Sequence, residues 1–199
     1  QMLVKSAGLN CAIMDTESLA LLNGLRSYRR IPPGQALVLV NVGAKYSNVV
    51  ITAGDGIPFM RDLPQAGSTM IEQIAQESQM TPEQVRACLR DPRQAAGGNP
   101  ELAGRLKRAC QNLLSDISET IRYYKAHIGF AQTETVLVSG GFALVPGFLE
   151  YLDSELPEAV VRWNPFDQIS CGKNVTGADF IQQSGPAFAV AAGLAMRSI

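Results

Sequence analysis

Between positions 36 and 63 the chain alternates as only strands do. Residues 36–42 are almost wholly aliphatic, as in a strand buried on both faces; residues 47–52 are rich in β-branched side chains, and residues 57–63 alternate apolar with polar. Gly54-Asp55-Gly56 offers the residues a tight turn prefers, so the three segments read as an antiparallel meander. Upstream, Ile31-Pro32-Pro33-Gly34 interrupts the pattern and marks a boundary. Before it the sequence predicts the end of a helix at Gly8, a short strand over residues 9–14 and a helix over residues 15–28, capped by Asp15 or Thr16.

After residue 67 the period becomes helical. Ser68 or Thr69 opens one helix, and Thr81-Pro82-Glu83-Gln84 opens another with capping-box spacing and proline at the first helical position. Residues 91–99 read as a polar loop. A long amphipathic helix follows over residues 100–127, its apolar stripe formed by Leu102, Leu106, Ala109 or Cys110, Leu113, Ile117, Ile121, Tyr124 and Ile128. Residues 136–138 are a fourth strand ending in Ser139-Gly140-Gly141, residues 146–156 a helix, and residues 160–163 a fifth strand stopped by Asn164-Pro165. A loop with little pattern leads to Gly185-Pro186 and a last helix over residues 187–196. That helix is apolar all round and rich in small residues, so burial on several sides is expected.

Three antiparallel strands, helices, strand, helix, strand, helix is the order of the ribonuclease-H-like α/β fold, from which each half of an actin-type protein is built. It predicts a mixed five-stranded sheet with flanking helices. Residues 1–34 read as the end of a first actin-like half plus linker, and residues 35–199 as a second actin-like domain. Within that domain, residues 35–67 and 134–199 form a sheet subdomain and residues 68–133 a helical one.

Composition narrows the chemistry. With 46% hydrophobic residues in 199, the chain can bury a full core. Lys and Arg number 17 against 18 Asp and Glu, and no basic block exceeds Arg29-Arg30, which argues against nucleic acid as a partner. Cys11, Cys88, Cys110 and Cys171 form no CxxC and His127 is the lone histidine, so no metal-ligand set is expected. Buried reduced thiols fit a cytoplasmic protein. The longest run free of polar side chains, residues 185–196, falls short of the roughly 20 residues a bilayer span needs, and no leader is expected. Gln1 is no initiator, so the sequence reads as part of a longer chain.

Two glycine turns end strands: Val40-Asn41-Val42-Gly43-Ala44-Lys45 and Val138-Ser139-Gly140-Gly141-Phe142. Glycine lets a phosphate approach backbone N–H donors that a side chain would shield. Either turn alone is as well explained by a plain tight turn. His127 with Ser118 and Asp116, the Glu72 and Glu77 pair, and Tyr123 with Tyr124 carry no motif that points to catalysis.

The segment from Leu37 to Gly67, with Phe59-Met60-Arg61-Asp62-Leu63-Pro64, resembles the second phosphate-binding hairpin of the type IV pilus assembly protein PilM family. Tyr123-Tyr124, the run VLVSGGFALVPG from Val136 to Gly147, Trp163-Asn164-Pro165-Phe166, and GPAFAVAAGLAMR from Gly185 to Arg197 resemble it as well. So does Ala7-Gly8-Leu9 with Asp15, Ala20 and Leu21, which places the chain in the C-terminal portion of that family, related to an actin-like cell-division protein. The resemblance implies a cytoplasmic scaffold at the inner face of the inner membrane, serving pilus assembly and twitching motility. It also implies ATP with magnesium as a ligand and a PilN-like membrane protein as a partner of the complete protein. Gly140, Gly141 and Phe142 would then match the adenosine turn, and Asn41, Gly43, Ala44, Lys45 and Ser47 the second phosphate loop. Two departures lean against turnover: Asn41 stands where the second phosphate loop of actin-like proteins normally opens with an aspartate, and Phe142 where the adenosine turn usually has a third glycine or small residue. No catalytic residue can be named. An active actin-fold ATPase or kinase, and an actin-like division protein, are the alternatives. The apolar faces of residues 1–30 and 187–196 are expected to pair with each other or with a second copy in a homodimer.

Overall fold

The computed structural model describes residues 2–11, 13–54, 56–95, 98–128, 132–169 and 177–197. The sheet is built on β1 (Gln35–Val42), every residue of which is buried from Ala36 onward. β2 (Ser47–Thr52) and β3 (Phe59–Leu63) extend it antiparallel on one side. β4 (Gln132–Ser139) and β5 (Ala159–Arg162) extend it parallel on the other, giving the order β3-β2-β1-β4-β5. The helices are α1 (Met2–Ser6), α2 (Glu17–Tyr28), α3 (Gly67–Ser78), α4 (Pro82–Arg90), α5 (Pro92–Ala95), α6 (Pro100–His127), α7 (Phe148–Glu155), α8 (Ala178–Ser184) and α9 (Ala189–Ala195). No helix among the described residues is long and apolar enough to cross a membrane.

Strand alternation divides the interior into two cores, because successive side chains leave β1 on opposite faces. Val38, Val40 and Val42, with Val49, Ile51, Leu63, Val136 and Val138, meet Met70 and Ile74 of α3, Leu89 of α4, Leu113 and Ile117 of α6 and Leu152 of α7. Cys110 of α6 lies in this core, where burial pushes its thiol up to about 12, so it packs as a protonated apolar group. On the other face Leu37, Leu39, Val50 and Leu137 meet Leu21, Leu22 and Leu25 of α2 and Ala189 of α9.

Small residues let α2 and α9 approach closely. A Cβ built on Gly193 would stand 1.8 Å from the Ala20 carbonyl oxygen, and one on Gly24 would lie 3.6 Å from the Gly193 Cα. Of the two faces expected to pair, α2 and α9 therefore do so within one chain, whereas α1 is exposed, Met2 and Leu3 included. An ion pair between Arg197, just beyond α9, and the buried carboxylate of Asp15, just before α2, closes the seam.

Several local expectations are corrected. Residues 9–11 and 13–14 form no strand; Leu9 and Met14 are exposed, with no neighbouring strand to supply a ladder. Thr16, not Asp15, caps α2 by accepting the Leu19 N–H at 3.2 Å, while Asp15 accepts from the Thr16 N–H. The polar stretch after Arg90 contains the single turn α5. Ile128 lies past the end of α6 and leaves the stripe for solvent. The helix expected from residue 146 begins at Phe148, after a 3-10 turn over Gly141–Leu144. The patternless segment after Asn164 holds a 3-10 turn, Pro165–Gln168, and α8, while Cys171 lies outside the described residues. The last helix is one-sided: Ala189, Ala192 and Gly193 are buried, and Leu194 faces out. Its other outward positions, Ala191 and Ala195, are small residues that water tolerates singly.

Gly193→Ala places a methyl group against the Ala20 carbonyl and forces the seam apart. Urea unfolding is expected to show a loss of about 1–3 kcal/mol, whereas Gly104→Ala, whose added methyl meets only the end of the Arg108 side chain, leaves stability unchanged or slightly raised.

Candidate functional site

The β1–β2 turn is fixed from both directions. The Gly43 N–H donates to the Tyr46 carbonyl at 3.2 Å, and a Cβ at Gly43 would stand 2.7 Å from that oxygen. The first two N–H groups of α3 then donate into the turn, Gly67 to the Gly43 carbonyl and Ser68 to the Ala44 carbonyl, each at 2.9 Å. Helix N-termini leave such donors free, and here they tie the helix to the turn. Thr69 steadies the same end by accepting the Ala66 N–H through its hydroxyl at 3.1 Å.

The second glycine turn crosses over the end of β1. Gly140 has φ +91°, a region that favours glycine, and a Cβ there would lie 2.3 Å from the Val42 carbonyl oxygen. Its N–H donates to Pro186 at 2.8 Å, which anchors the turn to the segment leading into α9. Phe142 is buried edge-on against Phe148 with ring centres 5.0 Å apart. It fills core space as well as bordering the site.

Between these turns and α4 lies a cleft of about 640 Å³. Gly43 and Ala44 border it from the first turn, Gly67 and Ser68 from α3, Gly141 and Phe142 from the second turn, and Arg86, Leu89 and Arg90 from α4. Phe180 and Phe188, packed edge-on at 6.0 Å, close the far side. An apolar wall bordered by Arg90 and by Arg86, which also pairs with Glu83 at 3.6 Å, suits a planar, partly apolar ligand that carries negative charge.

Of the residues singled out in sequence, Gly43, Ala44, Gly141 and Phe142 line this cleft. Gly140 is buried behind it, and Lys45 is exposed at the tip of the first turn, outside the lining. Ser47 is fully buried and donates its hydroxyl to the Gln65 carbonyl at 2.6 Å, which fixes the approach to α3. Asn41 is also buried, accepting from the Ser139 hydroxyl at 3.4 Å and donating to Asn48 Oδ1 at 3.1 Å; Asn48 donates in turn to Asp62 Oδ1 at 2.9 Å. Arg86, Arg90, Phe180 and Phe188 escaped the sequence reading. The four-residue spacing of the arginines puts both on one face of α4, and that was the visible signal. Which face meets the turns depends on packing.

A second cavity of about 410 Å³ is bordered by Thr16, Glu17, Ser18, Tyr46, Asn48, Met60 and Asp62. The donors at the first turn do not suit a magnesium ion, which prefers carboxylate oxygens. The Asn41 oxygen accepts from Ser139, and one carboxylate oxygen of the exposed Asp62 accepts from Asn48. Among the described residues no three His, Cys, Asp or Glu side chains gather where an ion could sit.

The model of the family described as "Type IV pilus assembly protein PilM" matches residues 1–199. No curated protein gives a significant match. Among solved structures, the chain is similar to one titled "PilM-PilN type IV pilus biogenesis complex", with TM-score 0.82, 21% identity, and 98% of this chain and 55% of that chain covered. The ethanolamine utilization protein EutJ of Carboxydothermus hydrogenoformans gives TM-score 0.69 at 17% identity, covering 98% and 58%. MreB 5 of Spiroplasma citri bound to AMPPNP gives 0.66 at 14%, covering 98% and 61%. The architecture is thus that of the actin-like ATPases, and the chain spans a little over half the length of these relatives.

The two adjacent glycines of the second turn carry different constraints, since a Cβ on Gly141 would meet nothing within 4 Å. Gly140→Ala is expected to cost about 2 kcal/mol or more in chemical denaturation through strain and collision with β1. Gly141→Ala should stay within about 0.5 kcal/mol of the parent.

Proposed function

The chain belongs to the family of type IV pilus assembly proteins called PilM, as a C-terminal portion, and on that premise we propose that it serves a cytoplasmic actin-like scaffold. In this reading the scaffold grips an inner-membrane, PilN-like protein and sits at the inner face of that membrane through it. Residues 1–34 end the first actin-like half in this reading, and residues 35–199 form the second. Support for the partner is the likeness to a PilM that is itself solved with PilN.

The observation that carries the ligand is the cleft where both glycine turns meet Arg86 and Arg90. We read it as this chain's share of an adenine-nucleotide site, with Phe142, Phe180 and Phe188 supplying apolar surface to the base and the arginines balancing negative charge. MreB 5, with the same fold, binds AMPPNP. In this reading the nucleotide serves to organise the scaffold.

Two measurements test this reading. Immobilised intact protein should retain a peptide spanning the cytoplasmic N-terminal tail of a PilN-like protein, and a peptide that washes through would sink the scaffold assignment. Replacing Arg86 and Arg90 together by alanine should weaken ATP binding in calorimetry by about tenfold or more, the loss expected for hydrogen bonds to a charged ligand. Unchanged affinity would remove the arginines from the site.

A further inference from the structure

The cavity at the start of α2 collects acceptors that nothing in the chain meets. Register sets Asn48 of β2 opposite Asp62 of β3, and the Asn48 amide donates to Asp62 Oδ1 at 2.9 Å. That bond orients the carboxylate and leaves its other oxygen without a partner among the described residues. Glu17, the first residue of α2, brings a second carboxylate to the same cavity. No lysine or arginine of the described residues borders it. The arginines on the neighbouring elements are engaged elsewhere: Arg61 donates to Thr120 from the opposite face of β3, and Arg26 donates to the Gly54 and Gly56 carbonyls. Ser18 also borders the cavity; it is only 5% exposed, and its hydroxyl has no hydrogen-bond partner among the described residues. A buried hydroxyl left idle costs free energy unless something enters to meet it.

Sign and size select the ligand. Glu17 alone could serve the helix dipole, but Asp62 lies on a strand and the Ser18 hydroxyl answers to neither role. Two full negative charges outweigh the roughly half positive charge at a helix N-terminus, so the cavity draws a cation. Its volume of about 410 Å³ is many times that of a water, too wide for a bare ion to touch both walls, and no metal-ligand cluster gathers among the described residues. An ammonium would meet one carboxylate as a point charge, whereas a guanidinium spreads a planar fork of donors and stacks on an aromatic ring. Tyr46 supplies the ring, and Met60 an apolar surface for an aliphatic stem. We propose that this cavity is a docking site for an arginine side chain presented by another protein, its guanidinium shared by Asp62 and Glu17, donating to Ser18 and lying against Tyr46. A residue within a chain suits it better than the free amino acid, whose own carboxylate Glu17 and Asp62 would repel. The site does not depend on the nucleotide reading of the cleft.

Methionine-methyl NMR of the intact protein tests the proposal, because Met60 borders the cavity and reports what enters it. Acetylarginine amide should move the Met60 signal with a Kd on the order of 1 mM, as befits one side chain taken out of its protein. Acetylcitrulline amide, of the same shape but uncharged, should leave it in place. Glu17→Gln combined with Asp62→Asn should weaken the arginine amide about tenfold or more, and Ser18→Ala several-fold. A Met60 signal that ignores the arginine amide, or answers the citrulline amide equally, would overturn the proposal, as would unchanged affinity in the double variant. Magnesium or calcium alone saturating the same signal below about 1 mM would make this a metal site and overturn it too. Free arginine binding about tenfold more tightly than the amide would mark a small-molecule site and remove the docking role. Should the double variant fail to fold, Ser18→Ala and the comparison of the two amides on the parent protein decide.

Discussion

Everything in this molecule is arranged around the burial of β1 on both faces. A strand with neighbours on either edge and helices above and below can keep no side chain for water, so each of its two rows must find its own partners. The even-numbered row, Val38, Val40 and Val42, recruits α3, α4, α6 and α7; the odd-numbered row, Leu37 and Leu39, recruits α2 and α9. A slip of one residue in register would exchange the rows and present Asn41 to the larger core. The same register sets Asn41 beside Ser139 and Asn48, so the order of the core and the polarity of the turn are one decision.

The site follows from where β1 and β4 stop. Being parallel, they deliver their glycine turns to the same edge of the sheet, where ligands of open α/β sheets gather. α3 returns its first N–H groups to one turn, and Pro186 accepts from the other, so the cleft floor is braced by helices that also cover the two cores. Phe142 shows the overlap most directly: it borders the cleft and packs on Phe148. Affinity and stability are therefore hard to change separately here.

Strands β1 to β3 were legible because β-branched alternation and a glycine turn agree, and α6 because its stripe persists over many turns. Residues 9–14 carry a strand's composition, yet a strand exists only where another edge can pair with it, and sequence does not show edges. α8 hides in a segment whose apolar residues do not repeat at a helical period. Asn41 was legible as a substitution, but its hydrogen-bond direction depends on Asp62, 21 positions away and two strands across, which only the register reveals. Arg86 and Arg90 were legible as a pair on one helix face and not as cleft residues, since that depends on how α4 lies over the turns.

The seam between α2 and α9 also bears on the order in which the chain can fold. Leu21, Leu22 and Leu25 are synthesised well over a hundred residues before Ala189, Gly193 and Arg197. Contacts across so much sequence are slow to close. The larger core, with its helices between β3 and β4 and after β4, can condense while α2 still lacks its cover. During translation that helix presents a bare leucine face until α9 has emerged, and the arrival of α9, not local propensity, sets when the smaller core is sealed.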